Sequence, residues 1–149
     1  MIQNLFGNTE IIFAINLVIC IICGYLIGSE RESRGKDAGI STHTLVILGS
    51  MVFTYMSFLS DSSSPARIAA QIVTGIGFLG AGLIIKDGLS VKNLTTAASI
   101  WFAASIGMSI GFGYYIIGIL STIAAIYVPR IPKNNFIFKE MKNYDNKSK

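Results

Sequence analysis

Four stretches of this chain carry no Asp, Glu, Lys or Arg: residues 11–29, 38–60, 68–85 and 93–129. A helix rises ~1.5 Å per residue and the hydrocarbon core of a bilayer is ~30 Å thick, so each of the first three can make one crossing. The fourth holds 37 residues, which as one helix would reach ~55 Å and overshoot the membrane. It is expected to fold back at Gly111-Phe112-Gly113-Tyr114-Tyr115, where two glycines permit a bend and two tyrosines suit the lipid headgroup level. The chain therefore reads as an all-α integral membrane protein, a compact bundle of about five transmembrane helices at roughly 11–28, 43–60, 67–85, 94–110 and 114–129. These make a transmembrane domain over residues 1–129. Residues 130–149 form a basic cytoplasmic tail with too little apolar content for a core of its own. A composition 52% hydrophobic and 13% charged excludes an ordinary soluble globule.

The net charge of +4 could suggest nucleic acid, but its placement points to membrane orientation instead. With five spans and the N-terminus outside, eleven of the twelve Lys and Arg residues fall on the inner side and Arg67 alone outside. With four spans the tail changes sides and the split becomes five inside to seven outside, so the preference for positive charge inside selects five. No nucleic-acid partner is expected. The first ten residues carry no Lys or Arg and lack the positive region of a secretory signal, so the first span is expected to be retained.

The third span is rich in glycine: Gly75, Gly77, Gly80 and Gly82. Each would cost ~1 kcal/mol against alanine in a water-exposed helix. In lipid the backbone has no other hydrogen-bond partner, and glycines become points of close helix approach. Ala70, Thr74, Gly77 and Ala81 share one stripe, so this span is expected to be the buried central helix. Gly107 and Gly111 form G-x-x-x-G on the fourth span, with Ser99 and Ala103 on the same line, which makes the third and fourth spans expected neighbours. Gly75-Ile-Gly77-Phe-Leu-Gly80 matches the dinucleotide-binding pattern by letter alone. The glycines lie mid-span, and no acid stands about 20 residues on.

Polar candidates are few. Cys20 and Cys23 form C-x-x-C in the first span; a hydrocarbon surround disfavours the thiolates that redox or metal chemistry needs, so they read as small packing residues. Glu30, Arg31, Glu32, Arg34, Gly35, Lys36 and Asp37 form a charged inner loop. In one reading it is a solvated loop with weakly paired charges, ~0–1 kcal/mol each. In the other it is a cation or partner site at the mouth of the bundle. Glu30, Glu32 and Asp37 offer the oxygens that Mg2+ prefers. Three basic neighbours argue against a strong cation site and favour a partner or structural role, and which metal, if any, it takes is left open. Arg67 and Gln71 lie one turn apart at the outer start of the third span, where Arg67 can snorkel to headgroups or pair with Glu10 or Asp61. His43 reads as an interfacial histidine. Asn16 and Gln71 read as hydrogen-bonding groups between helices. Nothing here resembles a catalytic set, so no enzyme and no cofactor are expected. Transporters place ionisable groups at the midplane, and here none lies deep in a span.

Three pieces resemble the signatures of one family, the MgtC/SapB membrane proteins, and lie in its order. They are Gly28-Ser-Glu-Arg-Glu-Ser-Arg-Gly-Lys-Asp-Ala-Gly-Ile-Ser-Thr-His-Thr-Leu-Val46, Arg67-Ile-Ala-Ala-Gln-Ile-Val-Thr-Gly-Ile-Gly-Phe-Leu-Gly-Ala-Gly82 and Leu94-Thr-Thr-Ala-Ala-Ser-Ile-Trp-Phe-Ala-Ala-Ser-Ile-Gly107. The third brings Thr95, Thr96 and Trp101 among the candidate residues. The resemblance implies a multi-pass protein of the bacterial cytoplasmic (inner) membrane, linked to growth under magnesium limitation and, in some pathogens, to survival inside host cells. It implies, for some members, action through other membrane proteins, including the proton-conducting part of the ATP synthase; the expected partners are the lipid bilayer, other membrane proteins and further copies of the chain. Direct transport of Mg2+ is the alternative. Many members carry a soluble C-terminal regulatory domain where this chain has a short basic tail, and Asn93 stands where members commonly have glycine.

Overall fold

In the computed structural model, which describes residues 2–60, 64, 66–88 and 90–131, the chain forms five helices and one small hairpin. The helices are α1 (Ile2–Ser33), α2 (Ile40–Ser60), α3 (Ala66–Leu83), α4 (Leu94–Gly111) and α5 (Tyr115–Tyr127). Strands β1 (Ile85–Asp87) and β2 (Ser90–Lys92) pair antiparallel between α3 and α4. A single 3₁₀ turn, Val128–Arg130, extends α5. Residues 61–63 and 65 of the expected outer turn, and most of the expected tail, lie outside the described residues.

Three helices, Asn8–Ser33, Ile40–Ser60 and Leu94–Gly111, are long and apolar enough to cross a bilayer, while α3 and α5 are apolar but shorter. The fold is that of an all-α membrane protein. Large apolar side chains cover its outside, among them Phe78 at 82% and Ile116 at 75% exposure. In lipid, whose tails are as apolar as leucine, such exposure carries no penalty. The expected bend after the fourth span is present and has a specific cause. Gly113 takes φ 82°, the Gly113 amide donates to the Ile110 carbonyl and the Tyr114 amide to that of Ser109. This paired closure around a left-handed residue stops α4 and satisfies its last carbonyls.

The centre of the bundle is the α2–α4 pair, not α3 as the glycine content suggested. Gly24 and Gly28 of α1 lie directly on Thr44 and Ile40, and Gly107 and Gly111 of α4 lie on Ile47, Ser50, Met51 and Thr54. Four glycines on two flanking helices thus let backbones meet the same partner. By contrast, a Cβ added at Gly75, Gly77 or Gly82 would meet nothing within 4 Å, and one at Gly80 would make ordinary contact with Ala97. The reason is angular. At ~100° per residue the stripe holding Ala70, Thr74, Gly77 and Ala81 lies far around the helix from Ala69, Ile72, Ile76 and Gly80. The latter set is the one that is buried. As expected, α3 and α4 are neighbours, but through this apolar stripe and Ile100 and Ala104. The G-x-x-x-G face of α4 turns to α2.

Two cores result. One joins Cys20, Cys23 and Ile27 of α1 to Ile47, Met51 and Tyr55 of α2, to Ala103, Ile106 and Ile110 of α4, and to Ala125 of α5. The other lies between α3 and α4, with Ala38 at one end. The ends of α1 and α5, the starts of α2 and α4, and the hairpin all gather at one end of the bundle. It carries Arg31, Arg34, Lys36, Lys86, Lys92 and Arg130.

Candidate functional site

The buried stripe of α1 runs Asn16, Cys20, Cys23, Ile27 and on to Glu30 and Arg31, each 5% exposed or less. No proline intervenes, and Gly24 and Gly28 stay helical where they lie on α2, so the helix carries its periodicity past the expected end at residue 28. It stops at Gly35, with φ 63°. The Gly35 amide donates to the Glu32 carbonyl and the Lys36 amide to that of Arg31, the same closure that ends α4. Glu30 and Arg31 are therefore helix residues facing inward, not members of a solvated loop.

Around them the basic end forms a connected polar centre. Glu30 Oε1 accepts from Arg34 Nη1 and from Arg130 Nε, both at 3.4 Å. Arg34 Nη1 also donates to the Pro129 carbonyl at 2.7 Å, tying α1 to the end of α5. Arg31 Nη2 donates to Thr96 Oγ1 of α4 at 3.3 Å. Glu30 Oε2 and Arg31 Nε are buried without a hydrogen-bond partner. Two guanidiniums thus hold the Glu30 carboxylate, while the buried Arg31 is held through Thr96.

His43, expected at an interface, is fully buried in the first turn of α2. Its Nδ1 lies 2.9 Å from the Gly39 carbonyl and its Nε2 lies 3.2 Å from Ser99 Oγ. A carbonyl only accepts, so Nδ1 carries a proton. Ser99 has one hydroxyl proton and also lies 2.7 Å from the Thr96 carbonyl. With a neutral imidazole that proton turns to Nε2; with a charged one it turns to Thr96. Ser99 and Thr96 thus connect the histidine to Arg31. In the sequence they stood out only as small or signature residues.

The remaining loop residues do not converge with Glu30. Glu32 Oε1 accepts from the Ile40 amide at 2.9 Å and so caps α2, whose first turn begins three residues before the expected His43. Asp37 Oδ2 accepts from Asn93 Nδ2 at 2.6 Å. Asn93 adopts φ 64°, a left-handed conformation that glycine takes freely and asparagine tolerates. That geometry explains why glycine suits this position. Lys36 is exposed. No group of three potential metal ligands occurs among the described residues, since Glu30 points inward and Glu32 and Asp37 lie at the surface. Arg67 and Gln71 are exposed at the opposite end of the bundle. Thr95 and Trp101 are exposed on α4, beside a groove shared with α5.

The family model described as "MgtC family" matches residues 17–134. The chain is 45% identical over 111 residues to Protein MgtC of Salmonella typhimurium (strain LT2), covering 74% of this chain and 48% of that protein. It is 46% identical over 108 residues to Protein MgtC of Brucella abortus, 72% and 45% respectively. It is 42% identical over 125 residues to the Escherichia coli (strain K12) protein named "Putative magnesium transporter YhiD", 78% and 58%. The chain therefore spans about half the length of the curated relatives it matches. No solved structure is a significant match.

Proposed function

The chain belongs to the MgtC family, and on that premise we propose that it is a multi-pass protein of the bacterial cytoplasmic membrane that serves adaptation to low magnesium by acting on other membrane proteins. The observation that carries this reading is the state of Glu30. It is the acid that enters the bundle, and two arginines hold its oxygen with a third beside it. Mg2+ needs several free oxygens in near-octahedral array, and a carboxylate ringed by guanidiniums is better suited to fixing helices than to binding a cation. The reading is of a non-enzymatic protein whose partners are the bilayer and other membrane proteins, further copies of itself included.

The alternative, a Mg2+ carrier, rests on a different observation. Asn16 Oδ1, Ser50 Oγ and Thr54 Oγ1 are buried, without a hydrogen-bond partner, deep between α1, α2 and α4. They are neutral oxygens of the kind that can line an ion path.

In the orientation proposed, the N-terminus lies outside and the basic end faces the cytoplasm. Reporter fusions after Tyr144 and within residues 61–65 should then report opposite sides; the same side for both would contradict it. The modulator reading places Asp37, which joins the α1–α2 turn to the start of α4, on the cytoplasmic surface open to partners. Asp37→Ala should slow growth at low magnesium in a bacterium depending on this protein, at unchanged protein level. Full growth with the variant at wild-type abundance would count against a cytoplasmic partner surface there.

A further inference from the structure

Between α4 and α5 lies a groove of about 380 Å3 that the helix packing leaves open to the lipid side. Thr95, Ala98, Trp101 and Phe102 form one wall, and Val128 and Pro129 form part of the other. Trp101 is 50% and Val128 60% exposed. The groove ends at the polar centre. The Pro129 carbonyl accepts from Arg34, and the next residue, Arg130, has a half-exposed side chain. The Arg130 guanidinium lies over the Tyr127 ring at 5.5 Å.

Among the described residues, Arg34 engages its partners through Nη1 alone and Arg130 through Nε. Each guanidinium has five N–H donors, so both keep donors for a further acceptor. Arg34 and Arg130 share the single carboxylate of Glu30, which leaves surplus positive charge at the mouth of an apolar groove. We propose that this groove is a binding site for an anionic phospholipid of the adjoining leaflet. Arg34 and Arg130 hold its phosphate, and an acyl chain lies along α4 past Ala98 and Trp101.

Charge and shape select this occupant. Guanidiniums bind phosphate bidentately, and basic pockets between helices at the cytoplasmic side are suited to anionic headgroups. A zwitterionic lipid would leave the charge surplus in place. From Thr95 to Phe102 the groove runs only ~10 Å along α4, which suits the upper part of an acyl chain. A partner helix, ~10 Å wide, needs a seam along most of the span.

Trp101 is the sole tryptophan of the chain and reports on the groove directly. The test places the full chain in phosphatidylcholine vesicles containing a small fraction of brominated-chain phosphatidylglycerol or, separately, brominated-chain phosphatidylcholine. Trp101 fluorescence should be quenched more strongly by the anionic lipid. Arg130→Gln should lower that preference about tenfold, the size expected for one charge-assisted hydrogen bond, in variant protein that still unfolds cooperatively in detergent. Equal quenching by the two lipids would overturn the proposal, as would an unchanged preference in folded Arg130→Gln. In detergent, phosphatidylglycerol should raise the thermal transition where glycerol phosphate alone does not. Equal protection by glycerol phosphate would mean a free-anion site rather than a lipid site, and would also overturn it.

Discussion

Gly107→Leu should abolish accumulation of folded protein in the membrane. A side chain there would run into the Ile47 carbonyl and press on Ser50. The obstruction is backbone of α2, which cannot rotate aside as a side-chain end can. Overfilling a packed core costs ~1–3 kcal/mol and more where nothing yields, and helix association in lipid has little hydrophobic drive to offset it. Gly77→Leu is the matched control. A Cβ at that position meets nothing within 4 Å, so the substitution should change the thermal transition of the single chain little. The pair is read by protein level in membranes and by thermal denaturation in detergent. Normal folding of Gly107→Leu, or an equal loss in both variants for the detergent-isolated single chain, would contradict the close α2–α4 packing at the centre.

Glu30→Ala should be the most damaging change among the charged residues. It leaves Arg34 and Arg130 without the carboxylate they share, close to the buried Arg31. Removing one partner of a fully buried ion pair costs ~3–5 kcal/mol, and the half-exposed arginines here put the loss below that. Glu30→Gln keeps the shape and an accepting oxygen and should lose less. Glu32→Ala, by comparison, removes a helix cap, for which ~1 kcal/mol is typical. Thermal transitions of the three variants should fall in that order, with Glu30→Ala the lowest. If Glu30→Ala and Glu32→Ala are equally mild, the polar centre is not the anchor described.

The helices and the reversal at Gly113 were legible because they follow from charge-free lengths and from glycine at a turn. The centre of the bundle was not. Glycine content marked α3, but glycine permits close approach without saying that a partner is present. Only the angular relation to Ala69, Ile72 and Ile76 decides which face is buried. The G-x-x-x-G of Gly24 and Gly28 carried the true signal and was masked by its place next to a charged segment. The same charges hid the site. Six charged residues between 30 and 37 resemble a solvated loop, yet Arg31 continues the spacing of Cys20, Cys23 and Ile27, and no glycine stops the helix before Gly35. His43 was misplaced for a related reason: Glu32 caps α2 at Ile40, which draws the histidine inside to Ser99. The reach of Arg130 to Glu30, across 100 residues of sequence, had no local signal at all.

Reconstitution of the purified chain into liposomes with a magnesium-sensitive dye inside tests the central claim most directly. A protein that acts through partners, with its inward carboxylate held by arginines, should admit no more Mg2+ than empty liposomes under any imposed potential or proton gradient. Saturable uptake that Glu30→Gln abolishes in folded protein would contradict it, and would make Glu30 a ligand on a cation path rather than the anchor of the polar centre.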